Sequence, residues 1–306
     1  MANISASMVK DLRDKTGAGM MDCKAALAET GGDMETAVDW LRKKGLAKAA
    51  KKAGRVAAEG LIGVAARNDV GALVEVNSET DFVARNDQFK DFVKNAAKLT
   101  LEAEGDVEKL LAKKMGNATV EATLKEMIAK IGENLSVRRA VVLTVSPGVV
   151  GTYVHNAASP ELGKIGVLVA LKSTADQTKL MALGKQIAMH IAAAAPIALT
   201  AAHIPADVLA RERAIHAEVA RQSGKPENVI EKMTEGRMRK FFEESVLMQQ
   251  VFVIDGEARI EKVLEKASKD LGAPIEIEGF VRFQVGEGIE KVDGDFADEV
   301  SKLAGH

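Results

Sequence analysis

The apolar positions of this chain switch between helical and strand spacing several times. Near the start the spacing is helical. Met8, Val9 and Leu12 follow Ser5, a residue type that caps helix starts, and Gly17-Ala18-Gly19 breaks the run. Residues 20–28 read as a second helix, stopped by Gly31-Gly32. Asp33 caps a third, with Met34, Ala37, Val38 and Leu41 on one face, and Gly45 is expected to end it. A bundle this small has a thin core, which suits contact with a partner better than a cleft for chemistry. Met20 and Met21, beside the glycine turn, either fill that core or form an adaptable contact.

Alternating positions then predict strands at 61–67 and 72–77, joined at Asn68-Asp69 as a hairpin. Phe89, Phe92, Val93, Ala96 and Ala97 give the next helix one apolar face. Helical runs follow around 107–113 and 120–131, the second striped by Val120, Leu124, Met127, Ile128 and Ile131. A strand at 137–145 ends at Pro147-Gly148. The pattern then repeats: a strand at 149–156, a loop at 157–163, a strand at 165–171 and a helix at 179–194. This reads as an internal duplication of a small α+β unit, with Gly60 matching Gly151 and Gly71 matching Gly166. Two charged helices at 208–222 and 228–247, turned by Gly224-Lys225-Pro226, predict an antiparallel hairpin with Phe241 and Phe242 at its base. Residues 251–254 are a short strand or an extended docking segment. A helix marked by Ile260, Val263, Leu264 and Ala267 and a strand at 275–285 come next. Gly286-Glu287-Gly288 reads as a hinge, and Phe296, Val300 and Leu303 mark an amphipathic tail helix.

One stretch does not fit these periods. Thr80-Asp81-Phe82-Val83-Ala84-Arg85-Asn86 lies where a strand hands over to a helix and sets an acid beside a large aromatic. Thr80 and Asp81 can cap free N–H groups there. Phe82 has no capping use. On a continuous helix it would share the buried face of Phe89; otherwise it stands out as an anchor for a partner. The second copy of the duplicated unit has Lys172-Ser173-Thr174-Ala175 at this place, so the shared fold does not require the aromatic.

Composition narrows the classes. The 306 residues suit two or three domains, and a net charge of −2 with few aromatics argues against a nucleic-acid surface. The basic run of Lys43, Lys44, Lys48, Lys51, Lys52 and Arg55 lacks interleaved aromatics and reads as a solvated helical linker; RNA binding through it is the competing expectation. The lone Cys23 fits a reducing compartment, and neither a leader nor a membrane-spanning run is evident, so a soluble cytoplasmic protein is expected. No phosphate loop, metal spacing or catalytic constellation emerges, so neither a cofactor nor an enzymatic activity is expected. His190, in an apolar helix, reads as a satisfied core histidine.

Taken together, several motifs resemble bacterial elongation factor Ts over essentially the whole chain. They are 16–24, Gly31-Gly32-Asp33, 78–86, Ile131-Gly132-Glu133-Asn134, 189–193, Gly224-Lys225-Pro226 and 283–291. The resemblance implies an α+β protein with a ubiquitin-associated-like helical domain and basic linker at 1–55. The duplicated core, with small antiparallel sheets, would take 56–146, 147–200 and 249–286. A helical-hairpin insertion would take 201–248 and a C-terminal helical module 287–306. It implies a non-catalytic guanine-nucleotide exchange factor that binds elongation factor Tu with GDP or without nucleotide. Its Thr80, Asp81, Phe82 and Val83 would dislodge the GTPase's magnesium ion. Met20, Met21 and Phe296 are further contact candidates. The hairpin implies a homodimer as a second candidate assembly, with no direct nucleic acid and no membrane.

Overall fold

The computed structural model describes residues 4–290, so the tail expected from Phe296, Val300 and Leu303 lies outside the described residues. The chain forms two compact units. Unit 1 takes the described parts of 1–63 and 284–306 together with Val74–Ala140; unit 2 takes Val64–Leu73 and Val141–Phe283.

Unit 1 opens with α1 (Ala6–Thr16), α2 (Met20–Glu29) and α3 (Met34–Lys52). The Ser5 and Asp33 side chains accept the Met8 and Thr36 amides, as expected of caps. The bundle core is Val9, Leu12, Cys23, Ala26, Leu27 and Ala37. Burial pushes the Cys23 thiol up from its ordinary value, and its Sγ–H donates to the Ala18 carbonyl at 3.6 Å. Gly45 does not end α3. The alanine- and lysine-rich residues after it are strong helix formers, and the helix runs on to Lys52. Gly45 is there for packing: a β-carbon would come within 2.9 Å of the Ala129 methyl on the facing helix.

The expected hairpin is β1 (Glu59–Arg67) and β2 (Val70–Ser78), followed by α4 (Asp81–Arg85), α5 (Asp87–Glu102) and α6 (Val107–Ala112). A two-residue ladder of β3 (Lys114–Met115) and β4 (Ala118–Thr119), too short to show a period, precedes α7 (Val120–Ile131) and β5 (Leu135–Thr144). The second copy is β6 (Gly148–His155), β7 (Leu162–Gly163, inside the stretch read as a loop), β8 (Ile165–Lys172) and α8 (Gln177–Ala194). The hairpin is α9 (Ala206–Arg221) and α10 (Glu227–Ser245). It is followed by α11 (Ile260–Leu271) and β9 (Glu276–Gln284). One sheet has the order β5-β2-β1-β7 and a second β6-β8-β9. Residues 251–254 form no strand beyond a single bridge from Val251 to Arg259. Phe252 instead packs against His190, which is fully buried with Nε2 2.9 Å from the Gln250 Oε1.

The duplication is visible in the glycines, with one change of partner. A β-carbon at Gly60 would fall onto the Val76 carbonyl, and one at Gly148 onto the Leu171 carbonyl. Their φ angles are +132° and +159°. Three residues further on, Gly63 lies under Val93 and Ala97 of α5, and Gly151 lies against the Gly184 backbone of α8. Gly60 therefore matches Gly148, and Gly151 matches Gly63; each pair lets a strand bend and a helix seat closely on it. In unit 2 the core beneath α8 is built from Val149, Val167, Val169, Leu171, Leu180 and Ile187, among others. Among the described residues no helix is long and apolar enough to cross a membrane.

Unit 1 also contains a buried charge. Glu75 on β2 has no exposed surface. Its carboxylate accepts from Arg138 at 3.1 Å, Arg139 at 2.5 Å, the Asn77 amide at 3.0 Å and the Gly286 N–H at 2.8 Å. Arg138 and Arg139 also donate to the Glu287 and Gln284 carbonyls. The Gly286 turn is thus a fixed point, not the hinge its glycines suggest. Burial pushes the Glu75 pKa up, but the Gly286 N–H, the Asn77 amide and Arg139 outweigh it, leaving the group below its ordinary value.

Three outcomes are expected. Gly151→Ala lowers the urea-unfolding free energy by about 2 kcal/mol through overpacking against Gly184. Gly236→Ala, in the interior of α10 with open space at its β-carbon, raises it by up to about 1 kcal/mol. Glu75→Gln destabilises by about 3 kcal/mol at neutral pH, low in the range for a broken buried pair because both arginines keep contact with water. A carboxyl whose native pKa is depressed contributes stability above its unfolded pKa and loses it as pH falls through the native one. The native protein therefore sheds stability below the ordinary glutamate value of about 4.3, and urea titrations of Glu75→Gln over that window show a shallower loss.

Candidate functional site

The strand-to-helix junction at 78–86 is where exposure and order coincide. In α4, a helix of five residues, Val83 and Ala84 are each 5% exposed and point into unit 1. Phe82, about 100° round the helix from Val83, is 75% exposed. It does not share the buried face of Phe89. Asn86 has extended backbone and separates α4 from α5, and its Oδ1 caps α5 by accepting the Gln88 and Phe89 amides at 2.9 and 3.2 Å. Phe82 therefore contributes little to folding and leaves a large apolar surface for another molecule.

Thr80 and Asp81 do not cap α4 as the sequence suggests. Thr80 sits at the N-cap position without a side-chain bond to the helix. Its hydroxyl instead donates to Glu133 Oε1 at 2.7 Å, and its N–H donates to Glu133 Oε2 at 2.9 Å. Asp81 pairs with Arg85 one turn on, at 2.8 Å, in a solvated ion pair worth little to stability. The return contact comes from the residue before Thr80. Glu79 Oε1 accepts the Asn134 N–H at 2.5 Å, and Glu79 Oε2 lies 3.4 Å from Arg55. The Asn134 side chain donates to the Arg55 carbonyl at 2.7 Å, and Lys52 donates to the Gly132 carbonyl.

Lys52 and Arg55 were read from the sequence only as part of a solvated linker, and Glu79, Glu133 and Asn134 only as members of motifs, without roles of their own. Their roles are long-range hydrogen bonds, which leave no periodic trace. The one available signal was an acid directly after a helix-ending glycine, Gly132-Glu133. Part of the basic run is also engaged, while Lys43 and Lys51 are exposed. Lys44 lies 3.5 Å from Asp22 and 4.4 Å from the Trp40 ring centre, and Lys52 and Arg55 are engaged as described.

Met20 and Met21 begin α2 and are 59% and 77% exposed, so they are surface groups and not bundle core. They sit on a separate element from Phe82. Phe296 lies outside the described residues. Unit 1 has a cleft of about 670 Å³ lined by Thr16, Leu41, Phe92, Met127 and Lys130, among others. Phe82, Met20 and Met21 do not line it, so the exposed apolar groups project outward, as suits a macromolecular partner. Among the described residues no group of His, Cys, Asp and Glu is placed to hold a metal ion.

The sequence profile of the family described as Elongation factor TS matches residues 79–287, starting at the junction residue Glu79. Similar proteins include the elongation factor Ts of Rhodospirillum rubrum, 61% identical over 98% of both chains. That of Rhodospirillum centenum is 60% identical over the full length of both. That of Bartonella henselae is 57% identical over 99% of both. The chain belongs to the elongation factor Ts family of translation elongation factors.

Proposed function

We propose that this chain is a non-catalytic exchange factor that binds elongation factor Tu in its GDP-bound and nucleotide-free forms. It dislodges the GTPase's magnesium ion and speeds GDP release during translation in the cytoplasm. The observation that carries the reading is Phe82: a large aromatic, 75% exposed, on a short helix whose next residue is locked in the core. Thr80, Asp81, Phe82 and Val83 form the contact, with Phe82 as the wedge and Val83 as its footing. Met20 and Met21 add adaptable apolar area from the N-terminal bundle, Phe296 adds a contact from the tail, and the α9–α10 hairpin serves self-association.

The physical requirement is differential binding. GDP is held in a GTPase by backbone N–H groups, a lysine and magnesium. A partner that binds the empty form better than the loaded one releases the nucleotide without touching it, and nucleotide loosens the partner by the same factor. Acceleration by three or four orders of magnitude corresponds to about 4–6 kcal/mol of barrier. One aromatic hot spot supplies about 2–4 kcal/mol of that, and contacts from other modules supply the remainder.

The test is stopped-flow release of fluorescent GDP from elongation factor Tu at saturating magnesium. The native chain accelerates release. Phe82→Ala slows the accelerated rate about 30-fold or more, the lower bound for a hot-spot side chain. Its urea-unfolding free energy stays within about 0.5 kcal/mol of native, as for a surface substitution. A folded Phe82→Ala protein that releases GDP at the native rate rules out the wedge.

A further inference from the structure

We propose that Glu79 and Glu133 form a reciprocal clasp that sets the orientation of Phe82, and that Glu133 is a positioning residue for nucleotide exchange. The inference rests on the exchange reading above. Each glutamate accepts a backbone N–H beside the other: Glu133 takes that of Thr80, next to Glu79, and Glu79 takes that of Asn134, next to Glu133. Two chain segments more than fifty residues apart are thus cross-bonded at adjacent positions. The Thr80 hydroxyl adds a second bond to Glu133, and the Ser78 hydroxyl closes the Thr80 carbonyl at 2.9 Å.

The need for such a device follows from the length of α4. A helix of five residues cannot hold its own shape in water. Its N-cap makes no side-chain bond to the helix, so the entry angle is set elsewhere. At the far end Asn86 fixes the exit by capping α5. Beneath, Val83 and Ala84 are buried. At the entry Ser78 holds only the Thr80 carbonyl, and the carboxylate of Glu133 holds the Thr80 N–H and hydroxyl with two charge-assisted bonds. The end of α3 joins the same clasp through Lys52 to Gly132 and Asn134 to Arg55. The turn that aims Phe82 is therefore also fixed to the N-terminal bundle.

A positioning role has a signature distinct from that of the wedge. If the clasp opens, Phe82 remains present but is correctly placed only part of the time. The apparent affinity for the partner then falls by that fraction, while the rate at saturation persists. Loss of the wedge itself lowers the rate at saturation.

The first measurement uses the free, full-length protein: amide hydrogen exchange at Thr80 and Asn134, the two N–H groups the clasp holds. Glu133→Ala is expected to speed both about tenfold to a hundredfold, the weight of hydrogen bonds to a charged group. Glu133→Gln is expected to stay within about threefold of native, because the amide oxygen still accepts the Thr80 N–H and its nitrogen can donate to the hydroxyl. In GDP release from elongation factor Tu, Glu133→Ala raises the half-saturating concentration about tenfold or more and leaves the limiting rate within about twofold. Should Glu133→Ala not fold, Thr80→Val removes the hydroxyl arm alone and is expected to speed the same amides about threefold to tenfold.

Native protection in Glu133→Ala, or in Thr80→Val where that variant stands in for it, overturns the clasp. So does a Glu133→Gln protein that behaves like Glu133→Ala, or a loss confined to the limiting rate. The exchange reading fails separately, on a native chain that leaves GDP release unaccelerated, and the amide measurement does not depend on it.

Discussion

A carboxylate with no exposed surface, Glu75, is bonded directly or through one amide to every stretch of chain that makes up unit 1. Arg138 and Arg139 come from its own stretch, Gly286 from the C-terminal return, and Asn77 passes the connection on to the Glu59 carbonyl at 3.1 Å. Removing a carboxylate from water costs several kcal/mol, repaid only when its lone pairs are filled with good geometry. Here four donors fill them. Closing a loop of some two hundred residues costs only slightly more than closing a short one, because the entropy grows with the logarithm of length. A single well-satisfied ionic centre can therefore hold the return of the chain at Gly286. The Asn77 Oδ1 atom is this centre's loose end, buried without a partner among the described residues. The amide is turned so that its donors serve Glu75 and Glu59 and its acceptor is left unserved.

The junction at 78–86 inherits this rigidity. Leu73, Val74 and Val76 of β2 are fully buried, and the strand hands directly to Ser78, Glu79 and Thr80. From there the burial pattern changes within one helical turn: Phe82 out, Val83 and Ala84 in. A flexible loop could expose an aromatic equally well, but it would lose ordering entropy on binding, about 1–2 kcal/mol per residue fixed. A junction held from β2 on one side and from Asn86 on the other has already met that loss in folding, which is the general advantage of preorganisation.

The residues make clear what a sequence can and cannot disclose here. Helices and strands were legible because burial on one face imposes a period, as in α5, α7 and α11. The end of α3 was misread because Gly45 has two opposed meanings: a helix stop by its conformational freedom, or a small residue where two helices touch. Only the presence of Ala129 decides between them. The glycine of the Gly286 turn was misread in the same way, since its N–H is occupied by a residue far away in the chain. Phe82 was ambiguous because its spacing from Phe89 is helical, and a single extended residue, Asn86, breaks that continuity. The clasp left little trace: beyond the acid that follows Gly132, Glu79 and Glu133 look like any solvated acids until the fold brings them together.

Under the proposed exchange role, the placement of Phe82 also follows from what such a factor must avoid. Leaving one aromatic in water forgoes about 1.5–3 kcal/mol of burial, a loss that a chain with cores in both units tolerates. A larger exposed apolar patch would promote association with the wrong partners. A single projecting ring beside a solvated ion pair, Asp81 with Arg85, limits that hazard while keeping the anchor available. On that reading a wedge small in area exerts its effect only if it cannot swing away when pushed. The fixed geometry around Thr80 and the specificity of the contact are then one physical requirement, since a ring free to relax would bind the loaded and empty forms of a GTPase alike and shift neither.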